Sequence, residues 1–342
     1  MTAEQTLMFQ EARSSPALVA AQLAANAEAV ARLAGSLREK RPRAVITIAR
    51  GSSDHAATYA RYLIETEIGI LTASAPPSIG AVYEAELDLD GVLCLAISQS
   101  GRSPDLLAAV DAAKAGGARV VALVNAPDSP LAARADSHLP ILAGPELSVA
   151  ATKSFILTLT AIAQLVAAWA ADSGLAEAVG TLPEALAAAW DRDWTPASRE
   201  LAKARNLFVL GRGVGVAIAQ EAALKFKETC GLHAEAFSSA EVQHGPMAIV
   251  GDGFPVLAFA QNDKTAAGLL GVTETLAARG ARVLVAGGEA EGTLALPAAP
   301  GHPMTAPVAL IQSFYRMAAE LAVARGYDPD RPAHLKKVTA TL

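Results

Sequence analysis

The chain has 342 residues, of which 52% are hydrophobic and 18% charged, so it can bury a large core, and its length suggests two domains. A formal net charge of −6 argues against an extended nucleic-acid surface, which needs clustered lysine and arginine. The two cysteines, Cys94 and Cys230, cannot form a disulfide framework and are typical of a reducing compartment.

The first predicted element is an amphipathic helix over residues 5–35, interrupted at residues 14–16 by two serines and a proline. The chain begins with Thr2, Glu4 and Glu11, where a signal or transit peptide would have a basic region and an apolar core. We therefore expect a cytoplasmic protein without a targeting peptide.

Apolar strands and helices then alternate along the chain. Strands are predicted at residues 44–49, 92–97 and 120–124, with helices at 54–65 and 105–115 between them. Continuous apolar strands separated by helices indicate a parallel sheet covered on both faces. Such a sheet binds its ligands at the carboxyl ends of the strands.

Hydroxyl and amide side chains follow the first two of these strands. In the segment SQSGRSPD, serines and backbone N–H groups precede the helix that starts near Asp105, an arrangement that binds phosphate without a cation. The alternative is an ordinary turn with a serine helix cap. The polar side chains at these two strand ends are Ser52, Ser53, Ser98, Gln99, Ser100 and Ser103.

An apolar stretch at residues 155–171 could be mistaken for a membrane span. It is 17 residues long and contains Thr158, Thr160 and Gln164. A buried core helix is the favoured interpretation, and we expect no membrane association.

The pattern then repeats. RGSSDHAATYARYLIE from Arg50 aligns with RGVGVAIAQEAALKFK from Arg212, and LAIS from Leu95 aligns with LAFA from Leu257, both at an offset of 162 residues (212 − 50 and 257 − 95). We therefore predict an α/β protein with two doubly wound, flavodoxin-like parallel-sheet domains related by internal duplication. The predicted organisation is an N-terminal helical segment 1–30, a first domain 31–172, a linker helix 173–200, a second domain 201–325 and a C-terminal tail 326–342 that completes the site.

The densest cluster of ionisable residues is the stretch at 221–246. Lys225 and Glu228 are three residues apart, so they share one face of a helix whose apolar stripe would be buried and which Gly231 would end. The alternative is a solvated surface pair between Lys225 and Glu221. The apolar stripe comprises Ala219, Ala222, Ala223 and Phe226.

A metal site is a second possibility for this stretch, because Glu241 and His244 form an ExxH motif. Neither a second ExxH nor an HExxH accompanies it. We therefore expect no metal and no cofactor, and His244 is expected in a turn closed by Gly245 and Pro246.

The two copies differ at their strand ends. Where the first copy has Ser52, Ser53, Ser98 and Gln99, the second has Val214, Gly215, Ala260 and Gln261. This difference favours one phosphate site, in the first copy, with the second copy contributing its helix residues Lys225 and Glu228.

Six segments in order along the chain resemble the sugar isomerase (SIS) family, in particular the isomerase half of glucosamine-6-phosphate synthase and the SIS-type glucosamine-6-phosphate deaminases. These segments are ARGSSDHA, ISQSGRSPD, AGPELSVAATKSF, ALKFKETCGLHAEAF, EVQHGP and KKVT.

The resemblance implies a role for each matching residue. The six polar residues at the strand ends would hold the sugar phosphate, with Val149 lining the pocket. Glu228 would move a proton between C1 and C2, supported by Lys225, and His244 would open the sugar ring. Because the family's histidine comes from the neighbouring subunit, the resemblance implies a homodimer.

The resemblance also implies a lysine in the tail that contacts the open-chain sugar and can form a Schiff base with a ketose carbonyl. Counting from Leu335 favours Lys337 for this role, whereas counting back from Val338 and Thr339 favours Lys336. We favour Lys337. Ala151 stands where the synthases usually have serine, so one contact to a substrate hydroxyl is expected to be missing.

The six segments match the isomerase half of the synthases, and no cysteine precedes Cys94 to serve as the catalytic residue of their amidotransferase half, so we expect that half to be absent. We therefore expect deamination: glucosamine 6-phosphate is opened, isomerised to the fructose imine and hydrolysed to fructose 6-phosphate and ammonia. The alternatives are a plain aldose-ketose phosphosugar isomerase, a fructosamine-6-phosphate deglycase and a non-enzymatic sugar-phosphate sensor.

Overall fold

The computed structural model describes residues 1–337, and in this part of the chain ten strands form two parallel sheets of five strands each. The first sheet contains β1 (Ala44–Ile48), β2 (Thr72–Ser74), β3 (Val92–Ser98), β4 (Arg119–Val124) and β5 (Ser137–Pro140). The second contains β6 (Asn206–Gly211), β7 (His233–Ser238), β8 (Pro255–Phe259), β9 (Arg282–Ala286) and β10 (Leu294–Leu296).

The two sheets have the same topology. Their strand orders are β2-β1-β3-β4-β5 and β7-β6-β8-β9-β10, and every pairing is parallel. This is the flavodoxin-like doubly wound order, in which the ligand crevice opens where the order reverses, between the first and third strands. The predicted α/β fold with an internal duplication is confirmed.

Helices connect the strands, and most begin or end where the sequence indicates. The predicted interruption of the first helix is confirmed, because one helix ends at Arg13 and the next begins at Ser15, with Pro16 in its first turn where no N–H is needed. The helices are α1 (Leu7–Arg13), α2 (Ser15–Glu39), α3 (Ser52–Leu63), α4 (Pro77–Ala81), α5 (Pro104–Ala115), α6 (Pro130–Arg134), α7 (Lys153–Ala170), α8 (Ser173–Gly180), α9 (Leu182–Trp190), α10 (Thr195–Leu201), α11 (Gly215–Cys230), α12 (Ala266–Ala278) and α13 (Ala306–Ala324).

The chain forms two compact units that do not follow chain order. One, here called the N-repeat unit, comprises residues 17–146, 153–180 and the tail from Lys336. The other, called the C-repeat unit, comprises residues 1–16, 147–152 and 181–335. The chain therefore leaves the N-repeat unit after Glu146, contributes six residues to the C-repeat unit, and returns at Lys153.

The core of the N-repeat unit surrounds β3, all seven residues of which are buried. One helix in the described residues, α7, is long and apolar enough to cross a membrane, and 83% of it is buried inside the protein. Its burial confirms the predicted core helix, and the hydroxyls of Thr158 and Thr160 donate to backbone carbonyls one turn earlier.

In the C-repeat unit, the core includes edge-on aromatic contacts between helices. The ring centroid of Phe314 on α13 lies 5.0 Å from that of Phe226 on α11 and 6.2 Å from that of Phe259 on β8. Burying each such side chain contributes about 1.5–3 kcal/mol. These contacts fix the face of α11 that bears its ionisable residues.

The N-terminal helix of this unit is bound by a residue near the other end of the chain. The carboxylate of Asp330 accepts hydrogen bonds from the backbone N–H groups of Leu7 and Met8, each at 2.7 Å. A carboxylate at this position satisfies the unpaired N–H groups of the first turn of α1 and complements the helix dipole.

Candidate active site

In the N-repeat unit, the predicted phosphate ligands lie at one edge of the sheet. β1 and β3 are paired neighbours, with Ile48 opposite Ala96, so their carboxyl ends lie side by side. Ser52 and Ser53 begin α3 directly after β1, and the loop from Ser98 leads from β3 into α5. Two helix N-termini therefore point to the same crevice, where their partial positive charges favour an anion.

The loop after β3 is held in a tight turn. The Ser98 hydroxyl accepts a hydrogen bond from the N–H of Gly101 at 2.9 Å, and Gly101 has a φ of 62°. A Cβ on Gly101 would lie 2.7 Å from Cβ of Ser129 and 2.8 Å from Cγ2 of Val124. Only glycine meets both conditions without strain.

The interpretation of Ser103 as an ordinary helix cap is not supported. Ser103 is the N-cap residue of α5, but its side chain makes no capping hydrogen bond. Its hydroxyl is therefore not used by the helix and remains available for a ligand.

A cation that the sequence analysis missed joins the two loops. Nε and Nη2 of Arg50, which follows β1, donate to Oδ2 of Asp105 at the start of α5, at 3.1 and 3.0 Å. The Asp105 side chain is 3% exposed and that of Arg50 is 52% exposed. Nearby, burial raises the pKa of Asp54, an effect that the charges of His55 and Arg50 oppose. Arg50 and Asp105 are 55 residues apart, so the sequence gave no sign of this contact.

In the C-repeat unit, α11 places three ionisable side chains in a row. Nζ of Lys225 lies 2.5 Å from Oε2 of Glu228 and 3.4 Å from Oε1 of Glu221. Lys225 and Glu221 are 1% and 0% exposed, whereas the side chain of Glu228 is 21% exposed. Tyr315 on α13 donates from its hydroxyl to Oε1 of Glu221 at 3.1 Å. The alternative of a solvated surface pair is therefore excluded.

The predicted helix features around this row are also found. The four residues of the apolar stripe are buried, and the helix ends at Gly231 in a left-handed conformation with a φ of 57°. Burial alone would lower the pKa of Lys225, but the charges of Glu221 and Glu228 outweigh that effect and hold the pKa above its ordinary value. Lys225 is therefore a fixed cation, and Glu228 is the member of the row that a ligand can reach.

His244 has a different environment. It lies in the predicted turn, directly after the short 3₁₀ turn Glu241–Gln243 and before Gly245, and its side chain is exposed. Ile249, five residues later, is 65% exposed. In a single chain, therefore, the His244 imidazole is accessible to another molecule.

Val149 is half-buried in the C-repeat unit, and its N–H donates to the carbonyl of Asp330 at 3.1 Å. The same segment is also fixed by Glu11, whose carboxylate accepts from the N–H groups of Leu147 and Ser148. These contacts fix the backbone of the segment in which Val149 lies.

The two tail lysines differ. Nζ of Lys337 lies 3.1 Å from Oε2 of Glu146 in the N-repeat unit, whereas the side chain of Lys336 is exposed. Val338 and Thr339, from which the alternative register was counted, lie outside the described residues. The choice between Lys337 and Lys336 as the tail lysine of the site stays a prediction.

In the second repeat, the side chain of Gln261 joins the loop after β8 to the loop after β6. Nε2 of Gln261, after β8, donates to the carbonyl of Arg212 at 2.6 Å, and its Oε1 packs so closely on Gly215 that a Cβ there would lie 2.6 Å away. The amide also contacts Thr265 at 3.2 Å. At the offset of 162 residues Gln261 corresponds to Gln99, whereas Ala260 stands in place of Ser98. The second copy therefore lacks that hydroxyl, and its glutamine is bound to its own loop.

No group of three or more His, Cys, Asp or Glu side chains placed to hold a metal ion is present among residues 1–337. The ionisable side chains described above are instead arranged as cation–carboxylate pairs.

Comparison with known proteins places these features in a family. A model of the SIS domain matches residues 37–168 and again residues 200–321. Glutamine–fructose-6-phosphate aminotransferase [isomerizing] of Aeropyrum pernix is 36% identical over 313 residues, covering 86% of this chain and 50% of that protein. The chain spans about half the length of the curated relatives it matches.

Two solved structures are similar over nearly the whole chain. A Silicibacter pomeroyi protein provisionally named a phosphosugar isomerase has a TM-score of 0.92 and 48% identity, covering 95% of this chain and 100% of that one. Glucosamine-6-phosphate deaminase of Thermotoga maritima has a TM-score of 0.79 and 23% identity, covering 98% of this chain and 100% of that one. The second likeness concerns the fold alone.

Proposed function

Because the chain belongs to the SIS-domain family, with both of its repeats matched, we propose that it is a phosphosugar isomerase that acts on an amino sugar phosphate. The favoured reaction is the conversion of glucosamine 6-phosphate to fructose 6-phosphate and ammonia. The observation on which this proposal chiefly rests is the row of ionisable residues on α11, in which a fixed cation lies beside a reachable carboxylate.

Glu228 is proposed as the base that moves the proton. In the open-chain sugar, it takes the proton from C2 and returns it to C1. O1 gains a proton and the nitrogen loses one in the same conversion, so that the aldehyde at C1 becomes an alcohol and the C2 amine becomes an imine. Water then adds to the imine carbon and ammonia leaves. Lys225 stays charged throughout and holds Glu228 at 2.5 Å, which positions the carboxylate for both transfers.

The phosphate is proposed to bind at the carboxyl edge of the first sheet. The hydroxyl of Ser103 is free of capping, and the N-termini of α3 and α5 supply N–H donors and partial positive charge. At the equivalent edge of the second sheet, Ala260 stands in place of Ser98 and Gln261 donates to the carbonyl of Arg212, which supports one phosphate site per chain. Val149, Lys336 and Lys337 are proposed to line the sugar end of the same site.

His244 is proposed to open the sugar ring in the active site of a second copy of the chain. Its exposure in the single chain supports this assignment, and so does the exposed apolar side chain of Ile249 nearby. A homodimer is accordingly proposed as the smallest active form.

An amino sugar is favoured over a plain sugar by the curated relatives. They are named for transferring an amine to fructose 6-phosphate with isomerisation. A site that adds an amine to this ketose can also release it, because every step is reversible at the same groups. A plain aldose-ketose isomerase and a fructosamine-6-phosphate deglycase use the same proton transfer and remain the alternatives.

The test is a turnover panel of glucosamine, galactosamine and fructosamine 6-phosphates and the corresponding plain aldose phosphates, with ammonia and ketose measured separately. We expect ammonia from glucosamine 6-phosphate. Ketose without ammonia, or release of an intact amine from a fructosamine phosphate, would transfer the assignment to one of the alternatives. Tight binding without turnover of any compound would identify a sensor instead.

The variant Glu228→Gln is the control for this assay, because it keeps the size of the side chain but removes the base. We expect binding to persist and turnover to fall by at least 100-fold. Unchanged turnover would show that another group moves the proton.

A further inference from the structure

Glu146 is a buried carboxylate for which the proposed reaction has no role so far. Its side chain is 0% exposed, and its Oε2 accepts from Oγ of Ser154 at 2.6 Å and lies 3.1 Å from Nζ of Lys337. Oε1 accepts from the N–H of Ser154 at 3.1 Å. The two bonds from Ser154, in the first turn of α7, fix the orientation of the carboxylate.

Burying a carboxylate is unfavourable for folding unless the carboxylate is paired with a cation. A buried carboxylate without a counter-charge costs several kcal/mol, whereas an apolar side chain of similar size would cost nothing. Glu146 lies where the chain leaves the N-repeat unit, and its cation comes from a residue 191 positions later in the sequence. A local structural contact at this turn would not need a partner from the tail.

We propose that Glu146 is a positioning residue that holds the ε-amino group of Lys337 in place for the substrate. The inference rests on the proposed function, in which Lys337 contacts the open-chain sugar. With the lysine side chain 26% exposed, its amino group is restrained by the carboxylate but not enclosed. The restraint fixes the position of the amine before the sugar ring opens. Without it, Lys337 would have to be ordered during each turnover.

Lys336 provides the matched control. It is adjacent in sequence and has the same charge, but its side chain is exposed and no ion pair to it is found among the described residues. A change that acts on the tail as a whole affects both lysines, whereas a change that acts through Glu146 affects Lys337 alone.

The first experiment needs no turnover. Wild-type protein and the variant Glu146→Gln are pulse-labelled with an amine-reactive acetylating reagent, and acetylation of each lysine is quantified by mass spectrometry. We expect several-fold faster labelling of Lys337 in E146Q and unchanged labelling of Lys336. Equal rates for Lys337 in both proteins, or a parallel rise at both lysines, would overturn the proposal.

The second experiment uses kinetics on the sugar phosphate that the wild type turns over best. E146Q is expected to lower kcat by about 10–100-fold with little change in KM, because the amine is misplaced while the phosphate site is intact. K337Q is expected to be at least as slow, and E146Q/K337Q no slower than K337Q, since the two residues act as one unit. Additive losses would mean that Glu146 acts independently of Lys337.

The two experiments separate the possible failures. If the wild type turns over no sugar phosphate, the proposed function fails while the labelling result still decides the role of Glu146. If E146Q does not fold, Ser154→Ala is used instead, because it removes one restraint on the carboxylate and leaves the charge in place. Labelling of Lys337 should then rise by a smaller factor, and no rise would refute the proposal.

Discussion

Burial changes how much an ionisable residue contributes to stability, and Lys225 is the clearest case in this protein. The spacing of Glu221, Lys225 and Glu228 is common on solvated helices, where such pairs stabilise by about 0.3–0.5 kcal/mol. Here the amine is 1% exposed and lies between two carboxylates. Because its pKa is raised, the stability it contributes is complete below its unfolded value of about 10.4 and is lost only as the pH rises through the folded value.

The variant Lys225→Met should therefore be strongly destabilised. It leaves Glu221 buried without its cation, and we expect a loss of about 3–5 kcal/mol in the free energy of unfolding, measured with urea at pH 7. Lys227→Met is the matched control on the same helix, because Lys227 is exposed, and it should change stability by less than about 0.5 kcal/mol. Equal effects of the two changes would contradict the buried ion pair.

Two glycines with left-handed backbones give a second test at this scale. Gly101 and Gly144 have φ values of 62° and 63°, but a Cβ on Gly144 would meet nothing within 4 Å. Both alanine variants should lose about 1–2 kcal/mol from the backbone conformation. Only Gly101→Ala should also clash with Ser129 and weaken sugar-phosphate binding, as measured by calorimetry. Equal binding by both variants would show that the turn after β3 does not hold the phosphate.

At the scale of the element, the two loops at the edge of the first sheet act as a pair. The contact between Arg50 and Asp105 ties the loop after β1 to the start of α5. A buried carboxylate oxygen that accepts from two N–H groups of one guanidinium is a directional restraint, stronger than an exposed ion pair.

Arg50→Gln should loosen both loops and raise KM for the sugar phosphate by about tenfold or more, with a smaller effect on kcat. Arg61, on α3, forms an exposed ion pair with Glu65. The variant Arg61→Gln removes that arginine and should leave KM unchanged. A fall in kcat alone would mean that Arg50 acts on the chemical step and not on phosphate binding.

How much could be predicted from the sequence differs between elements and contacts. The strands and helices were predictable because apolar periodicity reports burial, and the equal offsets of the two copies predicted their common topology. The partners of Arg50 and Lys337, and the contact of Glu221 with Tyr315, were not predictable, because each contact joins residues that are distant in sequence, and a sequence shows composition but not proximity. The sequence shows Ala260 in place of Ser98, but it could not show the packing of the neighbouring Gln261 on Gly215.

For the whole molecule, the proposal that two chains share an active site predicts complementation between inactive variants. Glu228→Gln and His244→Asn should each be inactive alone. After the two are unfolded and refolded together, half of the dimers are mixed, and each mixed dimer has one site with both residues intact, so about a quarter of wild-type activity should return. If His244 served its own chain, the mixture would stay inactive, and a fully active monomer in sedimentation would also refute the shared site.

The contact of Asp330 with the first turn of α1 has a consequence for synthesis. The two partners are 322 and 323 residues apart, so at about 5–20 residues per second the ribosome delivers the carboxylate roughly a quarter of a minute to a minute after the helix. During that interval Met8 and Phe9, which are buried in the finished protein, have no core to enter. Since the C-repeat unit includes residues 1–16 as well as residues 181–335, α1 cannot join its core until those later residues have been made. The nascent chain exposes the apolar side chains of α1 to chaperones during that interval.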